Sequence, residues 1–250
     1  MTQTEAIERA TLAAVCPAAA EDHAGWLLAL DAGTVGRAHS AVPLLHSAPD
    51  LAAISVIEAR YLAHGLVPVF RLPVLPEFTS FWAALAQRGY AAVQPTQVMA
   101  ATASTIVDGL DGTNVALKST PDAAWASVFL GEGFDPVDGA NRVKMLSRAK
   151  NAVFASVARD GAVVAAGVGC YSHGWASVHG MRTALAHRGQ GFAGSILGAL
   201  AAQAQAREID SVFLQVDTAN SAAQSLYRRA GFTTAWTYEY WRQVQPRAIG

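Results

Sequence analysis

The sequence predicts an α/β fold with a mixed sheet, assembled from two related halves, and three observations carry that reading. Three β-rich runs, 152–159, 162–171 and 175–183, are separated only by the turn signals Asp160-Gly161 and Ser172-His173-Gly174, the pattern of an antiparallel meander. The last run empties into a glycine-rich loop that opens a long helix, and a further strand, 211–216, follows. Finally, the series strand, helix, glycine, aromatic occurs twice. Phe70 and Gly89 are 19 residues apart and Phe213 and Gly231 are 18 apart, which suggests an internal duplication.

Composition sets the outer limits. The 250 residues carry 18 basic and 19 acidic side chains, a formal net charge of -1, so no basic footprint for nucleic acid exists. With 52% apolar and 15% charged residues the chain can bury a sizeable core, and disorder as the dominant state is excluded. Cys16 and Cys170 are the only cysteines, and no CxxC, HxxxH or HExxH spacing occurs, so neither a disulfide framework nor a metal site is expected. The N-terminal apolar stretch is broken by Pro17 and lacks a basic lead, and no run approaches the roughly 18 apolar residues of a membrane span. These features predict a cytoplasmic protein without membrane or nucleic-acid partners.

Alanine is about a fifth of the chain, so turns and strand runs guide the assignment better than helix propensity. In the first half, 26–30 and 37–44 read as strands, 49–64 as a helix, 67–72 as a strand, 77–88 as a helix and 93–100 as a strand. The polar, glycine-bearing stretch 104–121 reads as the joint between units 1–110 and 118–250. In the second half, 121–130 and 136–150 have helical spacing and precede the meander. A helix from the glycine loop to about Arg207 and another over 221–229 follow. Gly231 serves as the left-handed cap of the latter, and 233–241 is a last strand.

The segment Arg188-Gly-Gln-Gly-Phe-Ala-Gly194 carries the chemistry. A strand emptying into a glycine-rich turn at a helix start presents free backbone N–H groups and the positive end of the helix dipole to an anion, and a pyrophosphate is the natural guest. Gly189, Gly191 and Gly194 also fit the GxGxxG dinucleotide fingerprint, with Asp217 as a ribose ligand. The preceding antiparallel meander and the short chain after Asp217 speak against that alternative. An ordinary close-packed turn is the bland reading of the same glycines.

Arg188, Gly191 and Ala193 match the pattern Arg-x-x-Gly-x-Ala, and with Asn220 and Leu226-Tyr-Arg-Arg-Ala-Gly-Phe232 the stretch 121–241 resembles the GNAT superfamily of N-acetyltransferases. The first half resembles a degenerate copy, as in tandem GNAT proteins, because Leu45-His-Ser-Ala-Pro-Asp50 lacks the glycines and carries proline. The resemblance implies a tandem GNAT-like acyl-CoA N-acyltransferase fold with one working site for acetyl-CoA as co-substrate and no metal. It implies that Arg188, Gly189, Gln190, Gly191, Phe192, Ala193 and Gly194 bind the pyrophosphate. Met181, Arg182 and Thr183 would bind the pantetheine along their strand, Asn220 the cofactor, and Tyr227 would lie near the thioester sulfur as its proton donor.

Each role has a plainer counterpart. Met181 and Thr183 could be edge packing, Asn220 a helix N-cap, and Tyr227 a half-buried core residue. His179 lies in the strand that ends at the acetyl site and is the candidate base that accepts the amine proton. Glu239, Tyr238, Tyr240, His39 or a water chain are alternatives. The resulting expectation is transfer of an acetyl group to a primary amine of a small molecule or peptide. The rivals are a transferase using another acyl donor and a silent CoA-binding module.

Overall fold

The computed structural model describes residues 1–244; the end of the expected unit 118–250 lies outside the described residues. The first half contains α1 (Gln3–Val15), β1 (Ala19–His23), β2 (Trp26–Leu30), β3 (Ala41–Pro43), α2 (Ala53–Ala63), β4 (Val69–Pro73), α3 (Thr79–Gln87) and β5 (Tyr90–Thr102). Then come α4 (Ala103–Gly109), β6 (Ala116–Lys118), α5 (Ala123–Ser127), α6 (Pro136–Leu146), β7 (Ala152–Arg159), β8 (Ala162–Ser172) and β9 (Trp175–Thr183). The chain closes with α7 (Phe192–Gln205), β10 (Ser211–Asp217), α8 (Ser221–Arg229) and β11 (Thr233–Gln243). No described helix is long and apolar enough to cross a membrane.

The eleven strands of the described residues form one mixed sheet in the order β1-β2-β3-β4-β11-β5-β10-β9-β8-β7-β6. The meander β7-β8-β9 forms as its turns predict, and β10 joins β9 in parallel. The first half repeats the plan, with β1, β2 and β3 antiparallel and β4 parallel to β3. The centre is an exchange. The last strand of the first half, β5, pairs with β10, and the last strand of the second, β11, pairs with β4, while β5 and β11 pair with each other. Each half thus completes the other's sheet.

Several elements differ from expectation. The predicted strand 37–44 is a short 3-10 turn, Gly36–Ala38, followed by only three strand residues. The cause is Gly36, packed so tightly that a Cβ there would sit 2.8 Å from the Tyr240 ring. The joint 104–121 is not a plain linker. Thr102 caps α4 by accepting the Thr105 N–H at 3.2 Å, Ile106 enters the core beside Leu197, and 116–118 adds the edge strand β6. The helix α1 has no counterpart among the elements expected from sequence; Thr2 caps it, and it buries Ile7, Glu8, Ala10 and Thr11. β1 likewise has none, being a mostly polar edge strand with no apolar run to mark it.

Candidate active site

β9 and β10 are parallel neighbours only as far as the pair Val178–Leu214. Beyond it β9 continues through His179 to Thr183, while β10 runs on to Asp217 paired only with β5, its neighbour on the other edge throughout, with Gln215 opposite Val98 and Asp217 opposite Thr96. The two strands therefore splay, leaving a wedge whose β9 side offers strand hydrogen-bonding groups to a ligand. A bulge sharpens the opening. Ala166 pairs with Arg182 and Val168 with His179, so Gly180 and Met181 together oppose the single residue Gly167. Gly180 takes φ +59°, and a Cβ there would meet Leu146 at 2.8 Å, so glycine is needed on both counts.

Past Thr183 the chain makes a 3-10 turn over Leu185–His187 and reaches the glycine loop at the mouth of the wedge. Gly189 and Gly191 both have positive φ, and a Cβ on either would meet nothing within 4 Å, so the space above them is open. Gly191 is the N-cap of α7 and has no side chain to satisfy the helix start. Among the described residues the N–H groups from Gly189 to Gly194 make no hydrogen bond, the first helical one being Ser195 N–H to Gly191 O at 3.1 Å. Six successive free donors at a helix start form a cradle that suits an anion. Arg188 folds its Nε back to the Thr183 carbonyl at 3.3 Å, so its charge braces the turn.

The wedge opens into a cavity of about 920 Å³. Its walls include His179 to Thr183, Arg188 to Gly194, Asn220 and Tyr227, so the expected cofactor-binding residues, Tyr227 and His179 line one space. Asn220 caps α8, its Oδ1 accepting the Ala223 N–H at 3.1 Å. Tyr227 projects from α8, which ends in the expected glycine cap: the Phe232 N–H reaches the Tyr227 carbonyl and Gly231 has φ +90°. Burial pushes the Tyr227 phenol up to about 12, so it stays protonated, and its hydroxyl has no partner among the described residues. Arg182 is held by Asp138 (3.1 Å) and lies over the Phe134 ring at 4.1 Å.

His179 is only 4% exposed, its Nε2 is buried without a partner, and burial followed by the charge of Arg37 lowers its pKa to about 3. Such an imidazole is neutral throughout the physiological range and accepts hydrogen bonds better than it holds protons. Of the alternative bases, Tyr238 and Tyr240 reach the cavity, whereas His39 and Glu239 are not among its walls. The sequence did not point to Arg37, Gln94, Thr96 and Gln215, which also line it. Arg37 donates to Gln215 at 3.3 Å, and Tyr238 donates to the same oxygen at 2.9 Å. They come from separate segments that only the completed sheet brings together, so no local motif marks them.

The sheet excludes the dinucleotide-binding alternative, since β10 is followed by one helix and an antiparallel strand rather than further parallel units. The family described as "Probable histone acetyltransferase Rv0428c C-terminal" matches residues 2–241. The chain belongs to that family. Solved structures agree on the fold. A GCN5-related N-acetyltransferase from Kribbella flavida is 19% identical with a TM-score of 0.68, covering 99% of this chain and 98% of its own. A tandem GNAT protein from the clavulanic acid biosynthesis pathway is 14% identical with a TM-score of 0.62, covering 97% and 96%. A functionally unknown conserved protein from Staphylococcus epidermidis is 11% identical with a TM-score of 0.67, covering 90% and 93%. No curated protein is similar enough to be matched. Family and fold together make the chain a GNAT-type acetyltransferase.

Proposed function

We propose that the second half binds acetyl-CoA and that the chain transfers its acetyl group directly to a primary amine. The observation that carries this reading is the cradle of six free N–H groups at the mouth of the splayed wedge. Gly189 to Gly194 would hold the pyrophosphate and Met181 to Thr183 the pantetheine, as an added strand. Acetyl-CoA supplies an activated thioester. A β9 N–H at the bulge near Met181 would stabilise negative charge on the thioester oxygen. The amine nitrogen forms the new C–N bond as the C–S bond breaks. The amine sheds its ammonium proton to solvent before attack; Tyr227, kept protonated by burial, gives its proton to the departing sulfur, and the proton that the nitrogen loses as the amide forms returns to the phenolate through solvent. His179, neutral and unpartnered, would accept a hydrogen bond from the incoming amine and so orient it, a positioning role more than a proton-holding one.

Calorimetric titration with acetyl-CoA and, separately, NADH tests the donor. Saturable acetyl-CoA binding, no NADH binding, and loss of at least a hundredfold in affinity in Gly191→Glu are the expected results, because the glutamate puts bulk and negative charge in the cradle. Failure of the native protein to bind acetyl-CoA would overturn the reading. Binding without thiol release on any amine would instead leave a silent CoA-binding module.

A further inference from the structure

The charge around the cavity is lopsided. Five arginines line it, Arg37, Arg142, Arg182, Arg188 and Arg229, against the single carboxylate of Asp217. Arg142 and Arg182 share Asp138, and Arg188 braces the glycine loop. Asp217 sits at the cofactor end, where its Oδ1 accepts the Ala219 N–H at 2.8 Å. Arg37 stands apart. Like the exposed Arg188 and Arg229 it meets no carboxylate among the described residues, but unlike them it is half-buried; its side-chain partner is the neutral amide oxygen of Gln215, and its Nε is buried with no acceptor. A guanidinium held half-buried without a counter-charge is unfavourable by itself and well suited to an arriving anion.

Its position fits the acceptor better than the donor. Gln215 follows Leu214, the last β10 residue paired with β9, so Arg37 stands at the apex of the wedge. His179, Tyr238 and Tyr240 surround that end, and the glycine loop lies at the other end of the His179–Thr183 segment. Arg37 arrives from the first half on the turn Gly36–Ala38, which Gly36 allows to press against the Tyr240 ring and which Val35 and Ala38 pin into the core beside Ala14 and Val15. The degenerate half thus contributes a side chain to the working site.

We propose that Arg37 anchors the acceptor, and that the acceptor is a small amine bearing a carboxylate, of the amino-acid or short-peptide class, rather than a lysine-rich polycation. This rests on the acetyl-transfer reading. The guanidinium fork matches a carboxylate in two hydrogen bonds, whereas a polycation entering this cleft would add charge of the sign already in excess.

Thiol release from acetyl-CoA, measured with common amino acids, their decarboxylated amines and an oligolysine peptide, provides the test. The carboxylated probes are expected to be favoured about tenfold or more in kcat/KM. Arg37→Gln should raise their KM about tenfold or more and erase the preference, and Arg37→Lys, which keeps charge but loses the fork, should fall between. A preference for decarboxylated amines or oligolysine, an equal effect of Arg37→Gln on both sets, or no acetylation of any carboxylated probe would each overturn the proposal. The acetyl-CoA titration separates the two levels. Saturable binding beside a negative panel sinks the acceptor class alone, and absent binding sinks the donor reading beneath it. If Arg37→Gln fails to fold, the panel on the native protein and Arg37→Lys still decide.

Discussion

The two halves share a strand plan and have treated its central parallel pair in opposite ways. In the second half, β9 and β10 part after Leu214, and the gap is an open cavity bordered by unpartnered polar groups: the Gly189–Gly194 donors, His179 Nε2, Arg37 Nε and the Tyr227 hydroxyl. In the first half, β3 and β4 meet only at Ala41–Phe70, and the neighbouring residues are packed. Leu27, Val42 and Leu44 close against Leu12 of α1. Arg71, next on β4, forms a two-pronged ion pair with Glu8 of α1 at 3.0 and 2.5 Å, both side chains at most 2% exposed. The contrast lies between the two strand pairs: beside β3–β4 the Arg71–Glu8 pair is joined within the chain, whereas beside β9–β10 the glycine loop, His179 and Arg37 leave donors and acceptors toward a cavity.

That contrast can be broken on the packed side with the largest effect. Glu8→Gln leaves the Arg71 charge buried without its counter-ion and should destabilise the fold by about 3–5 kcal/mol in urea unfolding. Glu8→Met combined with Arg71→Met should recover most of it, and a Glu8→Gln protein as stable as its parent would show that the pair contributes nothing. On the open side, Tyr227→Phe should reverse the pattern, lowering kcat about a hundredfold while leaving unfolding free energy almost unchanged, because no described residue bonds the hydroxyl. Comparable losses of stability and activity would make Tyr227 a packing residue.

The smallest effect sharpens the comparison through pH. His179 titrates near 3 in the fold against its ordinary 6.5, so between these values the unfolded chain binds a proton that the folded chain does not. Stability then falls as pH drops below 6.5 and is untouched above it, by about 2 kcal/mol at pH 5. His179→Asn should remove that share of the acid loss when unfolding is compared at pH 7.5 and pH 5. Equal losses in variant and parent would mean that the imidazole is not held neutral. His39 and His46, also lowered by burial, remain in both proteins and cancel.

What was legible beforehand follows from how local each signal is. The meander, the glycine loop and the Gly231 cap are written in contiguous residues, and the structure has them where the turns predict. The splay of β9 from β10 was foreseeable only as a requirement of the family likeness. β1 and β6 carry polar residues or too few apolar ones, and α1 is amphipathic only toward a surface that exists once both halves are assembled. Arg37 illustrates the limit best. The run 37–44 reads as a strand, yet the close approach of Gly36 to Tyr240, some two hundred positions away, goes with a 3-10 turn there that places Arg37 at the cavity.

The position of β11 bears on how the molecule is made. It lies between β4 and β5, yet it is the last of the described strands to leave the ribosome. Until it arrives, β4 and β5 each have an edge of unpaired backbone groups on a nascent chain, the kind of edge that recruits foreign strands. The first half is translated early and completed last. Its β-sheet can close only by accepting a distant segment into a slot already flanked on both sides, a step of high contact order that slows the final folding event. Brevity of that exposed interval, more than the strength of any one contact, would then govern how much soluble protein a cell obtains.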